Sequence, residues 1–146
     1  MIKSDVVIGQ NCKIFEPVNL YGCILGDNTM VGPFVEIQSN VIIGNSVKIQ
    51  SHTFICSNVR IGNNVFIGHG VMFVNDKFQN NGPANGDKSL WLDTCIANNV
   101  SIGSNATILP VKICEDVVIG AGAVVTKDIN IKGVYVGNPA RLLKKI

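Results

Sequence analysis

Ile43-Gly44-Asn45-Ser46-Val47-Lys48-Ile49-Gln50-Ser51-His52-Thr53-Phe54-Ile55-Cys56-Ser57-Asn58-Val59-Arg60-Ile61 is the stretch that decides the fold. A branched apolar residue returns at every sixth position (Ile43, Ile49, Ile55, Ile61), and a β-branched one follows four places after each of the first three (Val47, Thr53, Val59). Four is an even spacing, so in an extended chain both columns face the same side. The first column extends upstream through Ile37 and Val31 to Leu25, then with a one-residue slip through Leu20, Ile14, Ile8 and Ile2. Downstream it reaches Ile61, Ile67 and Phe73, returns at Ile96, Ile102 and Ile108, slips again, and ends at Ile113, Ile119 and Val125. Gly recurs one place after the apolar residue (Gly26, Gly44, Gly62) and Asn three places after it (Asn28, Asn58, Asn64), the two residues that most easily adopt turns and positive φ. Each hexad reads as a short strand and a corner. Three hexads then close one coil of an all-β triangular prism whose neighbouring coils bury each other's apolar faces. No helical period competes before the last few residues. Handedness does not follow from the period, and the general preference for right-handed crossovers argues against a left-handed coil.

The chain of 146 residues reads as a single domain, 1–146. Its 47% apolar and 15% charged residues fit a thin stacked core, and no apolar run is long enough for membrane insertion. The start is already repeat and carries no secretory pattern, which reads as cytoplasmic. Five cysteines without a CxxC pair read as reduced thiols, not as disulfides or a metal site. A net charge of +2 gives no reason to expect a nucleic-acid partner. The exposed end coils of such a prism are commonly covered by association, so a closed ring of identical subunits is expected.

The repeat breaks twice. An inserted loop of about 74–93 contains the turn-rich run Gln79-Asn80-Asn81-Gly82-Pro83-Ala84-Asn85-Gly86-Asp87 together with Lys77, Phe78, Lys88, Trp91 and Asp93. Its length suits a loop that closes over something, or a tolerated insertion. A C-terminal extension of about 126–146 holds Lys127, Gly137-Asn138-Pro139-Ala140 and Arg141, suiting a phosphate-bearing ligand or a solvated basic terminus. Eighteen-residue stacking puts Phe34, His52 and His69 on one corner and Asn75-Asp76 on the next, at the root of the loop. Two imidazoles, an amide and a carboxylate would gather there, able to orient a nucleophile and take its proton; alternatively the histidines fill corner positions held elsewhere by Asn.

These repeats, with Gly120-Ala121-Gly122-Ala123-Val124-Val125-Thr126-Lys127-Asp128 and Val136-Gly137-Asn138-Pro139-Ala140-Arg141, resemble the hexapeptide-repeat acyltransferases. The resemblance implies a left-handed parallel β-helix, a homotrimer and acetyl-CoA as co-substrate, without a metal. Phe66-Ile67-Gly68-His69-Gly70-Val71-Met72-Phe73-Val74-Asn75-Asp76, Gln50-Ser51-His52-Thr53-Phe54-Ile55-Cys56 and Phe34-Val35-Glu36-Ile37-Gln38 look like the subgroup that N-acetylates nucleotide-linked amino sugars for O-antigens or surface glycans. The chain departs from that subgroup at Lys77-Phe78-Gln79-Asn80, where a Tyr-Pro-Arg-like segment is usual. The resemblance implies a dTDP-3-amino-3,6-dideoxyhexose or a UDP-3-amino sugar as acceptor, with O-acetylation of a sugar or serine hydroxyl as the alternative. It assigns Asn75 to hold the amine in catalysis, with His69 as a base that an unprotonated amine does not require; from the corner register His52, Asp76 and Phe34 fall to the acceptor, Phe34 either stacking on sugar or base or packing at its corner. Ala121, Lys127, Asn138 and Arg141 fall to the coenzyme, and backbone amides on the strands after the loop to the oxyanion.

Overall fold

The computed structural model describes residues 1–146. Its first coil is β1 (Val7–Ile8), β2 (Lys13–Ile14) and β3 (Asn19–Leu20); the second is β4 (Cys23–Leu25), β5 (Met30–Val31) and β6 (Glu36–Ile37). The third is β7 (Val41–Ile43), β8 (Lys48–Ile49) and β9 (Phe54–Ile55), and the fourth is β10 (Val59–Ile61), β11 (Phe66–Ile67) and β12 (Met72–Phe73). After the inserted loop come β13 (Thr94–Ile96), β14 (Ser101–Ile102) and β15 (Thr107–Ile108), then β16 (Lys112–Ile113), β17 (Val118–Ile119) and β18 (Val124–Val125). Strands pair in parallel with the equivalent strand of the next coil, giving a first face β1-β4-β7-β10-β13-β16, a second face that begins β2-β5-β8-β11-β14-β17, and a third face β3-β6-β9-β12-β15-β18. The coil is left-handed. The right-handed rule rests on a crossover helix packing back on its sheet, and here corners of a few residues replace the helix.

Both periodic columns face inward as the sequence requires: Ile43, Val47, Ile49, Ile55 and Val59 are all buried. Together 31 buried apolar residues form one cluster along the axis. Burying an Ile or Val contributes about 1.5–3 kcal/mol, so each coil adds a similar increment and none is stable without neighbours.

The corners explain the Asn and Gly columns differently. Asn28, Asn40, Asn58 and Asn64 have φ of 57°, 59°, 70° and 56°, the left-handed conformation expected of them. Gly44, in contrast, does not have positive φ; a Cβ there would lie 2.5 Å from Asn63 Oδ1 and 2.6 Å from Gly62 O of the next coil. That glycine is set by coil-to-coil spacing, not by turn conformation. Between the first and second faces, the backbone N–H groups of Asp27, Asn45 and Asn63 donate to the side-chain oxygens of Asn45, Asn63 and Asn98, each at 2.8 Å. This side-chain staircase locks successive coils in register.

The C-terminal extension is not wholly outside the coil. Strand β19 (Gly133–Val136) continues the second face in parallel with β17, and β20 (Arg141–Lys145) folds back antiparallel on it. The last residues are therefore strand, not helix. No helix is long and apolar enough to cross a membrane.

Candidate functional site

All nine residues singled out from the sequence border the third face. Phe34, His52, His69 and Ala121 lie on its corner with the second face, since they fall between β5 and β6, β8 and β9, β11 and β12, and β17 and β18. Asn75, Asp76 and Lys127 lie on its corner with the first face. Asn138 and Arg141 belong to the terminal hairpin, which docks over β18 through Val124 N–H to Gly137 O (2.9 Å) and Ala140 N–H to Val124 O (2.8 Å).

The inserted loop, bounded by Phe73 and Thr94, leaves from the corner of Asn75. Asn75 Nδ2 donates to Ser57 O of the coil below (3.2 Å), while its amide oxygen has no partner. Asn75 O accepts from Leu92 N–H (2.8 Å), which ties the two ends of the loop together. Asp76 is occupied otherwise: its oxygens accept from Phe78 N–H (2.9 Å) and Ala84 N–H (2.7 Å), so its role in this structure is to fold the loop. Gln79 Nε2 donates to Leu90 O (2.9 Å), and Asp87, its carboxyl held below the usual range by bonds from Ser89, caps a short 3-10 turn at Lys88–Leu90. A cavity of about 410 Å³ opens between loop and face, lined by Asn75, Asp76, Phe78, Trp91, Phe54 and Gln38 among others. The loop's aromatic residues thus cover the face, whereas Lys77, Lys88 and Asp93 do not reach the cavity. Gln38 and Phe54 escaped the sequence reading because they are ordinary outward positions of the repeat.

The histidines sit elsewhere. His52 stacks on Phe34, with ring centroids 4.9 Å apart and planes at 27°. Gly70 N–H bonds Ser51 O and His52 N–H bonds Pro33 O, so the column holding His52 is Phe34–His52–Gly70, and His69 lies one residue off it, above Ser51. Within a protomer the six-residue step across β12 separates His69 from Asn75 by up to roughly 20 Å at ~3.3 Å per residue. The imidazoles, amide and carboxylate do not gather at one point; they line opposite edges of one face.

Lys127 follows Asn75 and Pro110 on the same corner, because Phe73 pairs with Ile108 and Ile108 with Val125. Two coils of ~4.8 Å put it about 10 Å along the axis from Asn75. A cavity of about 290 Å³ contains Lys127 and Arg141 with Tyr135 and Asp128. Neither cation is in an ion pair, the one salt bridge being Lys132–Asp116 at 3.8 Å, so both are available to an anion. Ala121 shares the column of His69 and Ser104 on the opposite corner, and Asn138 lies in the terminal hairpin's turn. The backbone N–H groups after the loop are spent on neighbouring coils, Thr94 donating to Asn58 O and Cys95 to Val111 O. At the loop's root the N–H groups of Asn75, Asp76 and Lys77 make no hydrogen bond within the protomer.

Similar proteins share this architecture. A crystal structure of an N-acyltransferase, AntD from Bacillus cereus, in complex with dTDP and 3-hydroxybutyryl-CoA superposes with a TM-score of 0.84 at 23% identity, covering 96% of this chain and 82% of that one. A hexapeptide-repeat-containing acetyltransferase from Vibrio cholerae O1 biovar eltor, complexed with acetyl coenzyme A, gives a TM-score of 0.75 at 24% identity over 86% of this chain and 71% of that one. Among curated proteins, a chloramphenicol acetyltransferase of Morganella morganii is 46% identical over 54 residues, 36% of this chain and 26% of the relative. A probable macrolide acetyltransferase of Lysinibacillus sphaericus is 44% identical over 54 residues, 36% of this chain and 30% of the relative. The match thus spans between a quarter and a third of those relatives' length. The model of bacterial transferase hexapeptide (six repeats) matches residues 22–57 and 40–75, and that of the hexapeptide repeat of succinyl-transferase matches 94–127, leaving out the inserted loop. With more than half of its residues in those repeats, the chain belongs to the hexapeptide-repeat transferase family.

Proposed function

We propose that this chain is an acetyl-CoA-dependent N-acetyltransferase acting on the amino group of a nucleotide-linked amino sugar. The best acceptor is a dTDP-3-amino-3,6-dideoxyhexose or a UDP-3-amino sugar, used in the cytoplasm to build an O-antigen or surface glycan. The observation that carries the reading is the unpartnered amide oxygen of Asn75 in a loop-covered cavity, with Lys127 on the same corner about 10 Å away. AntD, with its bound dTDP and acyl-CoA, supports the same pair of ligands.

In this mechanism the Asn75 amide oxygen accepts a hydrogen bond from the neutral amine and orients its lone pair toward the thioester carbonyl. Nitrogen bonds to that carbon, the carbon–sulfur bond breaks, and the departing thiolate takes the proton released by nitrogen, leaving an amide and free CoA. No strong protein base is required. The N–H groups of Asn75, Asp76 and Lys77, unbonded within the protomer, are the donors this reading gives to the oxyanion. Lys127 and Arg141 hold the coenzyme's phosphates and Asn138 borders its path, while Ala121, on the opposite corner of the face, borders it only if a neighbouring protomer supplies it; holding sulfur and amine together supplies most of the acceleration. The active assembly is a closed homotrimer with the site in a cleft between protomers. His69 is then a base only if a neighbouring protomer supplies it, since general-base contact requires about 3 Å or one bridging water.

A second reading is transfer to an acceptor without a nucleotide, such as a sugar or serine hydroxyl; the chloramphenicol and macrolide acetyltransferases among the relatives favour it. Thiol release from acetyl-CoA, measured with dTDP- and UDP-linked amino sugars and with hydroxyl acceptors, separates the two. Turnover with an amine that Asn75→Ala nearly abolishes and His69→Ala spares supports N-transfer. Turnover only with a hydroxyl, dependent on His69, overturns it.

A further inference from the structure

We infer that the stacked pair Phe34–His52 is the seat of the nucleotide heterocycle of the acceptor, a reading that rests on and extends the proposed function. Both residues have φ in the left-handed region, 61° and 64°, which His tolerates but a bulky Phe rarely adopts. The same column holds Gly70, Asn105 and Gly122, and most other left-handed corners hold Asn. Aromatic residues therefore occupy positions where the backbone alone favours Gly or Asn. Burial does not explain Phe34, which is 58% exposed. Its ring lies against the His52 imidazole at 4.9 Å, which fixes its orientation and leaves an open aromatic surface.

Phe34 also walls a cavity of about 310 Å³ with Pro17, Val18, Asn19, Val35 and Glu36. A polar bridge leads from there to the cavity at Asn75. Glu36 accepts from Asn19 Nδ2 (3.2 Å) and from Gln38 Nε2 (3.1 Å), and Gln38 lines the Asn75 cavity. The third face thus offers a flat apolar platform, a row of groups suited to sugar hydroxyls, and the amide that would hold the amine. A nucleoside diphosphate joined to an amino sugar has that order of parts.

Two ligands of the reaction carry a heterocycle, and position distinguishes them. The platform stands beside β6, near one end of the third face, whereas Lys127 and Arg141 stand beyond β18 at the other. Asn75 follows β12, two strands from each. A coenzyme with its phosphates at Lys127 reaches Asn75 from the C-terminal end and leaves the Phe34 end to the acceptor.

The test is calorimetric titration of wild type, Phe34→Asn and Phe34→Tyr with dTDP, UDP, ADP and CoA. Asn suits the left-handed corner, so Phe34→Asn keeps or raises the melting temperature. It should weaken dTDP or UDP binding about 5- to 100-fold, the usual effect of removing a stacking partner from a base, while CoA affinity is unchanged and Phe34→Tyr binds like wild type. Wild-type dTDP and UDP affinity retained in Phe34→Asn would overturn the inference, as would a weakening confined to ADP and CoA, or no binding of either pyrimidine nucleotide to wild type. An Asn75→Ala protein reports separately on the proposed chemistry: if it turns over normally while Phe34→Asn loses dTDP, the platform stands and the site at Asn75 falls.

Discussion

Thr94→Val should make this protein more stable. Thr94 is 1% exposed, and its hydroxyl is the one buried side-chain oxygen or nitrogen with no hydrogen-bond partner. It sits in the inward column of the first face, paired with Val59 in the coil below and followed by Val111 in the coil above. A buried hydroxyl without a partner costs about 1–3 kcal/mol, and Val replaces it with a methyl group of nearly the same volume. The expected gain is about 1–2 kcal/mol, or roughly 2–8 °C in Tm for a chain of this size. Thr53→Val is the matched control, because Thr53 is equally buried but its hydroxyl donates to Gly68 O at 2.9 Å. That change should cost about 1 kcal/mol. Calorimetry on both variants at one fixed protomer concentration keeps assembly from shifting the comparison. A lower Tm for Thr94→Val, or a fall matching that of Thr53→Val, would refute the reasoning.

Three further outcomes are expected. Lys127→Ala and Arg141→Ala should each raise KM for acetyl-CoA about 10- to 100-fold with kcat nearly constant, the pattern of lost uniform binding; a fall in kcat alone would contradict their placement at the coenzyme's phosphates. Asp76→Ala, which removes the acceptor of two loop N–H groups, should lower activity while Tm shifts by less than about 2 °C, and increased proteolysis within 77–92 would show the loop released; an intact loop would contradict this role. Burial pushes the Cys56 thiol up to about 12 and the Cys23 thiol to about 11. Both stay neutral at pH 8.5 in the folded state, so alkylation followed by mass spectrometry should find exposed Cys95 modified first; because unfolded thiols ionise near 9, folding stability should fall as pH rises from there through 11–12.

The coil was legible because Ile and Val at a period of six have no other way to be buried together. The reason for the glycines was not, since Gly44 is needed by the backbone of the next coil, which sequence order does not display. The Asp27–Asn45–Asn63–Asn98 staircase was hidden in the same way: its last step spans 35 residues, because the loop intervenes. Strand β19 escaped because Tyr135 pairs with Ile119, putting a tyrosine where the repeat would show Ile or Val. At the site, eighteen-residue arithmetic found the right corners but not their separation, since the width of the third face lies between His69 and Asn75. Asp76 was visible as a carboxylate at the loop's root, but which N–H groups it accepts depends on how the loop folds.

The most direct test of the account is a crystal structure with CoA and dTDP bound together. The account predicts CoA running along the third–first corner, its phosphates at Lys127 and Arg141 and its sulfur at Asn75, with the thymine on Phe34. A coenzyme whose sulfur lies on the first or second face, away from Asn75, would contradict it.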